Sequence, residues 1–188
     1  MNYKELKKMA KPYIKTNHIP TNAFTILTDI GIPFKNEKHC KEDFGSNISP
    51  IFNTPAFLAV YKGVKTIYFN SNAMYLNFYI LHEISHYLLN HEFDSPQNEA
   101  DANMLACILA APVENIPKKI CSADSLSRVA NIPIDKAEEY WQEIFPITKQ
   151  IDCKEDNTHV MLELIETIAE LKSELESTTE KIQMMYRK

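Results

Sequence analysis

Residues 76–90 read LNFYILHEISHYLLN, an apolar stretch with two histidines and a glutamate set into it at fixed spacing. Leu76, Ile80, Ile84, Tyr87 and Leu88 fall on one stripe at the helical period, which predicts a helix over residues 73–90. On that helix His82 and His86 are four apart and share a face, while Glu83 lies about 100° around from His82. Two imidazoles on one face can reach one ion, and a carboxylate beside them can take a proton from a water held there. His82-Glu83-x-x-His86 therefore predicts a metal site with Glu83 as base, the spacing that zinc-dependent hydrolysis of peptide bonds uses. The bland alternative is a pair of ordinary helix-face histidines. With six histidines in the whole chain, two of them bracketing Glu-x-x in an apolar helix would then be coincidence.

Two histidines and a water leave a tetrahedral ion one protein ligand short. A third histidine at the His-Glu-x-x-His-x-x-Gly-x-x-His spacing would stand at position 92 with glycine at 89, and the chain has Glu92 and Leu89 there, so that pattern is ruled out. His91 is five residues past His86, about 140° around a continuing helix, and turns away from the ion unless the helix ends sooner. Ser95-Pro96 signals the next helix, with serine as N-cap and proline at the first position, running through an alanine-rich stretch to about residue 111. Glu99 lies in its first turn. An antiparallel helix after a short loop returns that carboxylate to the imidazoles, so Glu99 ranks first as third ligand, although an acid there also complements the helix dipole without any ion. Asp101, about 200° from Glu99, is the reserve. Asn103, one turn beyond Glu99 on its face, is placed to orient a ligand histidine. Tyr87, His91 and Tyr79 are chemically able to donate to an oxyanion, and the sequence does not rank them.

The remainder of the 188-residue chain frames this site. At 45% hydrophobic it supports one full core plus an appendage. With 20 basic against 25 acidic residues the net charge is −5, which gives no electrostatic footprint for direct nucleic-acid binding or for an anionic membrane. No segment approaches the roughly 20 apolar residues of a membrane span, and the N-terminus lacks the apolar core of a signal peptide. The four scattered cysteines contain no Cys-x-x-Cys pair and are expected to stay as thiols in a reducing cytoplasm.

Along the chain, residues 1–15 are expected to form an amphipathic helix and 20–29 a second one, followed by a polar connection, 31–55, whose short elements the sequence does not place. The aromatic and β-branched run AFLAVYKGVKTIYFN, residues 56–70, predicts a β-hairpin turning at Lys62-Gly63. Residues 122–145 predict two short helices around Asn131-Ile132-Pro133, a helix-turn-helix-like pair. Arg128 and Lys136 are nearly its only cations, so packing is the expected role rather than DNA binding. From Met161 to Met185 apolar residues recur at alternating steps of three and four. This heptad pattern, in a C-terminal segment of residues 151–188, allows either a dimer or a long helix packed on its own domain.

His82-Glu83-x-x-His86, followed by Glu99-x-x-Ala102-Asn103-x-Leu105-Ala106 and Pro112, resembles the ImmA/IrrE family of metallopeptidases. The resemblance covers roughly residues 56–145 and rests on two motifs agreeing in order and spacing. It departs at Asn77-Phe78-Tyr79-Ile80-Leu81, where the family often has Arg-Phe-Thr-x-Ala, at Ser85, where glycine is common, and at Leu109-Ala110-Ala111-Pro112. The resemblance implies an α+β fold: a mostly helical, minimal zincin-like metallopeptidase domain over residues 1–150, with a small β-hairpin or sheet, the helix pair, and the long C-terminal helix. It further implies a cytoplasmic zinc endopeptidase that cleaves a helix-turn-helix transcriptional repressor of a phage or mobile element and so relieves repression. Manganese suits the same ligands. The competing reading is a regulatory protein that binds metal and a repressor without cutting it. The intact Glu83 favours cleavage, since a purely structural site has no use for a base between its ligands.

Overall fold

The computed structural model describes residues 1–15, 18–45, 54–93 and 95–145. Its elements are α1 (Tyr3–Ala10), α2 (Ala23–Ile30), β1 (Phe34–Asn36), α3 (Glu37–Phe44), β2 (Ala56–Tyr61), β3 (Val64–Phe69), α4 (Leu76–Leu88), α5 (Pro96–Ala110), α6 (Ala123–Ala130) and α7 (Ile134–Ile144), with 3-10 turns at Lys11–Tyr13 and Val113–Asn115. The fold is mixed α and β, and helices dominate. Met1–Ile144 is one compact unit and Phe145 begins a second. The heptad-patterned segment 151–188 lies outside the described residues. Among those described, no helix is long and apolar enough to cross a membrane.

Lys62 and Gly63 both adopt positive φ, 50° and 80°, as a two-residue type I′ hairpin turn requires. Their turn pairs Tyr61 with Val64 and sets the antiparallel register along to Ala56 opposite Phe69. The connection 31–55, left open by the sequence, contributes β1, which adds in parallel to the other side of β3 (Phe34 opposite Ile67, Asn36 opposite Phe69). Among the described residues the sheet order is therefore β1-β3-β2, with β2 at an edge. Asn36 ends β1 and caps α3, its side chain accepting from the His39 N–H.

α4 is the central element, packing against α5, α2, β2 and β3. Ile80, Leu81, Ile84 and Ser85 are fully buried. Ser85 satisfies its hydroxyl by donating to the Leu81 carbonyl at 2.8 Å, as buried helical serines do. Asn77 ties α4 to the start of α2 through two hydrogen bonds of 2.9 Å, accepting from Ala23 N and donating to Thr21 O. α5 starts as the sequence predicts, with Pro96 in its first turn and the Ser95 hydroxyl accepting from Asn98 N. Its small buried residues Ala102, Ala106 and Cys107 permit close approach of neighbouring elements.

The pair α6–α7 packs back on α5 through Tyr140, whose hydroxyl donates to the Ala111 carbonyl at 2.8 Å. Ser127 closes the turn between the two helices by donating to Ile132 O at 2.7 Å. Arg128 is paired with Asp124, and Lys136 with Asp135 and Glu139, so the cations of this pair are matched by its own acids.

Candidate metal centre

His82 and His86 stand one turn apart on α4 and turn their Nε2 atoms toward each other at 3.0 Å. Glu99 completes the group from α5, with Oε2 3.4 Å from His82 Nε2 and Oε1 3.2 Å from His86 Nε2. Atoms bound tetrahedrally about 2.05 Å from a zinc-sized ion lie about 3.3 Å apart, because the edge of a tetrahedron is about 1.6 times its radius. The three observed separations bracket that figure. With both rings protonated on Nδ1, two imidazole lone pairs and a carboxylate converge on one point, a set that a cation satisfies. The His82, His86, Glu99 group can thus hold a metal ion, and its ligand atoms all lie within 4.8 Å of one another.

The surroundings suit such a role. Burial, and then the adjacent His86, push the pKa of His82 down to about 4, so the ring is neutral and able to ligate well below pH 7. His82 Nδ1 is buried and makes no hydrogen bond of good geometry. The Asn103 side chain nevertheless lies close enough to the ring to favour its protonated form.

Glu83 reaches the same cleft, of about 460 Å³, which is walled by residues 54–58, leading into and along β2, and by His82, His86, His91 and Glu99. Its Oε2 accepts from the Leu58 N–H at 2.8 Å. That bond agrees with the hairpin register: closing at Tyr61–Val64 turns the main-chain groups of Tyr61, Ala59 and Phe57 toward β3 and those of Val60, Leu58 and Ala56 outward.

The other candidates separate. Tyr79 lines the cleft. Tyr87 does not; its ring lies 5.5 Å beneath Lys65 Nζ, on a different face of α4. Asp101 faces away from the ion position, as its angle from Glu99 predicts, and is buried against the N-terminal ammonium at 2.7 Å and Gln97 at 2.8 Å. His91 stays outside the ligand group, as expected, but meets the condition of an earlier helix end. α4 stops at Leu88, and His91 folds back so that its Nδ1 lies 3.0 Å from Nδ1 of His86. Burial, and then His86, hold its pKa below the ordinary imidazole value. Asn90, a residue tolerant of left-handed backbone, was the available signal that the helix ends there. No protein-family model, curated protein or solved structure matches this chain.

Proposed function

We propose that this protein is a zinc-dependent endopeptidase that cleaves a protein substrate, a helix-turn-helix transcriptional repressor of a phage or mobile element, and thereby relieves repression. The observation that carries the reading is Glu83 in one cleft with the His82, His86, Glu99 group, beside an outward-facing strand edge. Two imidazoles and a carboxylate at tetrahedral spacing suit zinc best, and manganese shares the same ligand chemistry. When bound, such an ion supplies Lewis acidity, making water acidic enough to yield hydroxide near neutral pH and polarising a peptide carbonyl.

The chain's own residues supply the rest. His82, His86 and Glu99 hold the ion. The Leu58 N–H fixes the Glu83 carboxylate at the cleft wall, where it takes a proton from the attacking water and passes it to the leaving amine. The outward groups of Ala56 and Val60, on either side of Leu58, offer an extended substrate a place to add as a strand. Tyr79 and His91 both line the cleft and remain as oxyanion donors, His91 through the Nε2–H that its contact with His86 leaves free, whereas Tyr87 sits beneath Lys65. Cys40, Cys107 and Cys121 are free thiols, consistent with a cytoplasmic setting.

The choice of a repressor rests on the ImmA/IrrE-like motifs, so the test uses the repressor encoded beside this gene. Zinc-loaded wild type is expected to cut it, and Glu83→Gln to do so about 10²–10⁴-fold more slowly while keeping its zinc. If both cut equally, Glu83 is not the base. If the repressor binds and neither protein cuts, the regulatory, non-proteolytic reading replaces this one.

A further inference from the structure

The end of α4 fixes where His91 can go. Asn90 has φ of 52°, and its N–H donates to the Tyr87 carbonyl at 3.1 Å. The next N–H, of His91, reaches back five residues to the His86 carbonyl at 3.0 Å. These two bonds around a left-handed residue form a Schellman motif, which brings the side chain after the left-handed residue against the one five positions earlier. That contact is commonly apolar. Here both partners are imidazoles, with ring centroids 5.0 Å apart and planes at 71°.

The tautomers follow from the geometry. His86 turns Nε2 toward His82 and Glu99, so a ring that ligates there carries its proton on Nδ1. Among the described residues the acceptor within reach of that proton is Nδ1 of His91, at 3.0 Å. His91 must then present a lone pair at Nδ1 and keep its own proton on Nε2. It is not itself part of the ligand group, which comprises His82, His86 and Glu99.

We infer that His91 is a positioning residue: held by the helix-terminating motif, it accepts the Nδ1 proton of His86 and fixes the tautomer and ring direction that aim His86 Nε2 at the ion. This role rests on the metal-site reading above. The two ligand histidines thus have different outer partners, Asn103 beside His82 and His91 behind His86.

The test compares full-length wild type, His91→Phe and His91→Asn. Phenylalanine keeps a ring of similar volume but accepts no hydrogen bond, whereas asparagine places Oδ1 where histidine has Nδ1. Zinc affinity is read by competition with a chromogenic chelator, and ligand geometry by the visible spectrum of the cobalt-substituted protein. His91→Phe is expected to bind one zinc about 10–100-fold more weakly, with a shifted cobalt spectrum, and His91→Asn to recover most of both. Equal affinity in wild type and His91→Phe overturns the role and leaves His91 as a helix-end residue. Equal losses in both variants also overturn it, because packing rather than the hydrogen bond would then be at work. A wild type that binds no zinc removes the metal reading itself, a failure visible before either variant is made.

Discussion

Two clusters of polar side chains in this molecule look alike and differ in one respect. Around Asp43, the carboxylate Oδ2 accepts from the Tyr68 hydroxyl at 2.7 Å and from Lys35 Nζ at 2.5 Å, and these contacts, Lys35 first, hold its pKa below the usual carboxylate range. Acceptor meets donors and charge meets opposite charge, so the group is complete in itself. At His82, His86 and Glu99 the atoms that converge are two imidazole nitrogens and a carboxylate, lone pair against lone pair once the ring protons sit on Nδ1. A ligand site is marked by that shortage of donors, not by the number of polar groups or by how closely they approach.

The largest effect that follows is the response to metal. At a free zinc concentration about 100 times Kd, mass action stabilises the folded protein by about 2.7 kcal/mol, read as a rise in Tm over a chelator-treated sample. Glu99→Ala should greatly reduce that rise and His82→Ala should abolish it, while Asp43→Asn should leave it unchanged although the starting Tm falls. A zinc response as large in Glu99→Ala as in wild type would remove Glu99 from the ligand set.

Next comes the pH dependence of the metal-free protein. An unfolded chain protonates His82 near the ordinary pKa of 6.5, but the buried ring resists protonation until about pH 4. Between those values the unfolded state holds the extra proton, so stability falls as pH drops through the window and is level with respect to His82 above it. Urea denaturation at about pH 7.5 and about pH 5 should show the fall in wild type and a smaller one in His82→Gln. An equal fall in both would assign the dependence to other groups. The smallest effect is expected from Tyr68→Phe, which deletes one donor of the complete cluster and leaves Lys35 on Asp43. Its Tm should drop modestly with zinc affinity unaltered, and a loss of zinc affinity would break the contrast between the clusters.

What the sequence made legible is what local chemistry decides. The four-residue step from His82 to His86, the Ser95-Pro96 helix start and the Lys62-Gly63 turn are each set by neighbours along the chain, and each stands in the fold where the sequence places it. Glu99 was reachable through helix geometry and loop length, and its angular separation from Asp101 correctly told which acid faces the histidines. β1 was not legible: three residues that pair across some thirty positions have no period of their own. His91 was set aside as a ligand, and it does lie outside the ligand group, but its contact with His86 was not legible, because Asn90 changes the direction of the chain and an angle computed for a helix means nothing past its end. That Tyr87 lies beneath Lys65 was not legible either, since Lys65 comes from the hairpin and leaves no local mark.

The hydrogen bond from Leu58 to Glu83 has a consequence for how a substrate would be read. It ties one numbered position on an edge strand to the carboxylate, so the strand carries an index mark. A chain laid along β2 is phased against that mark in steps of about 3.3 Å, and a slip of one step presents the opposite set of side chains to the cleft. On the proposed peptidase reading, the bond cut would depend on alignment along a ruler as much as on the chemistry of any one pocket.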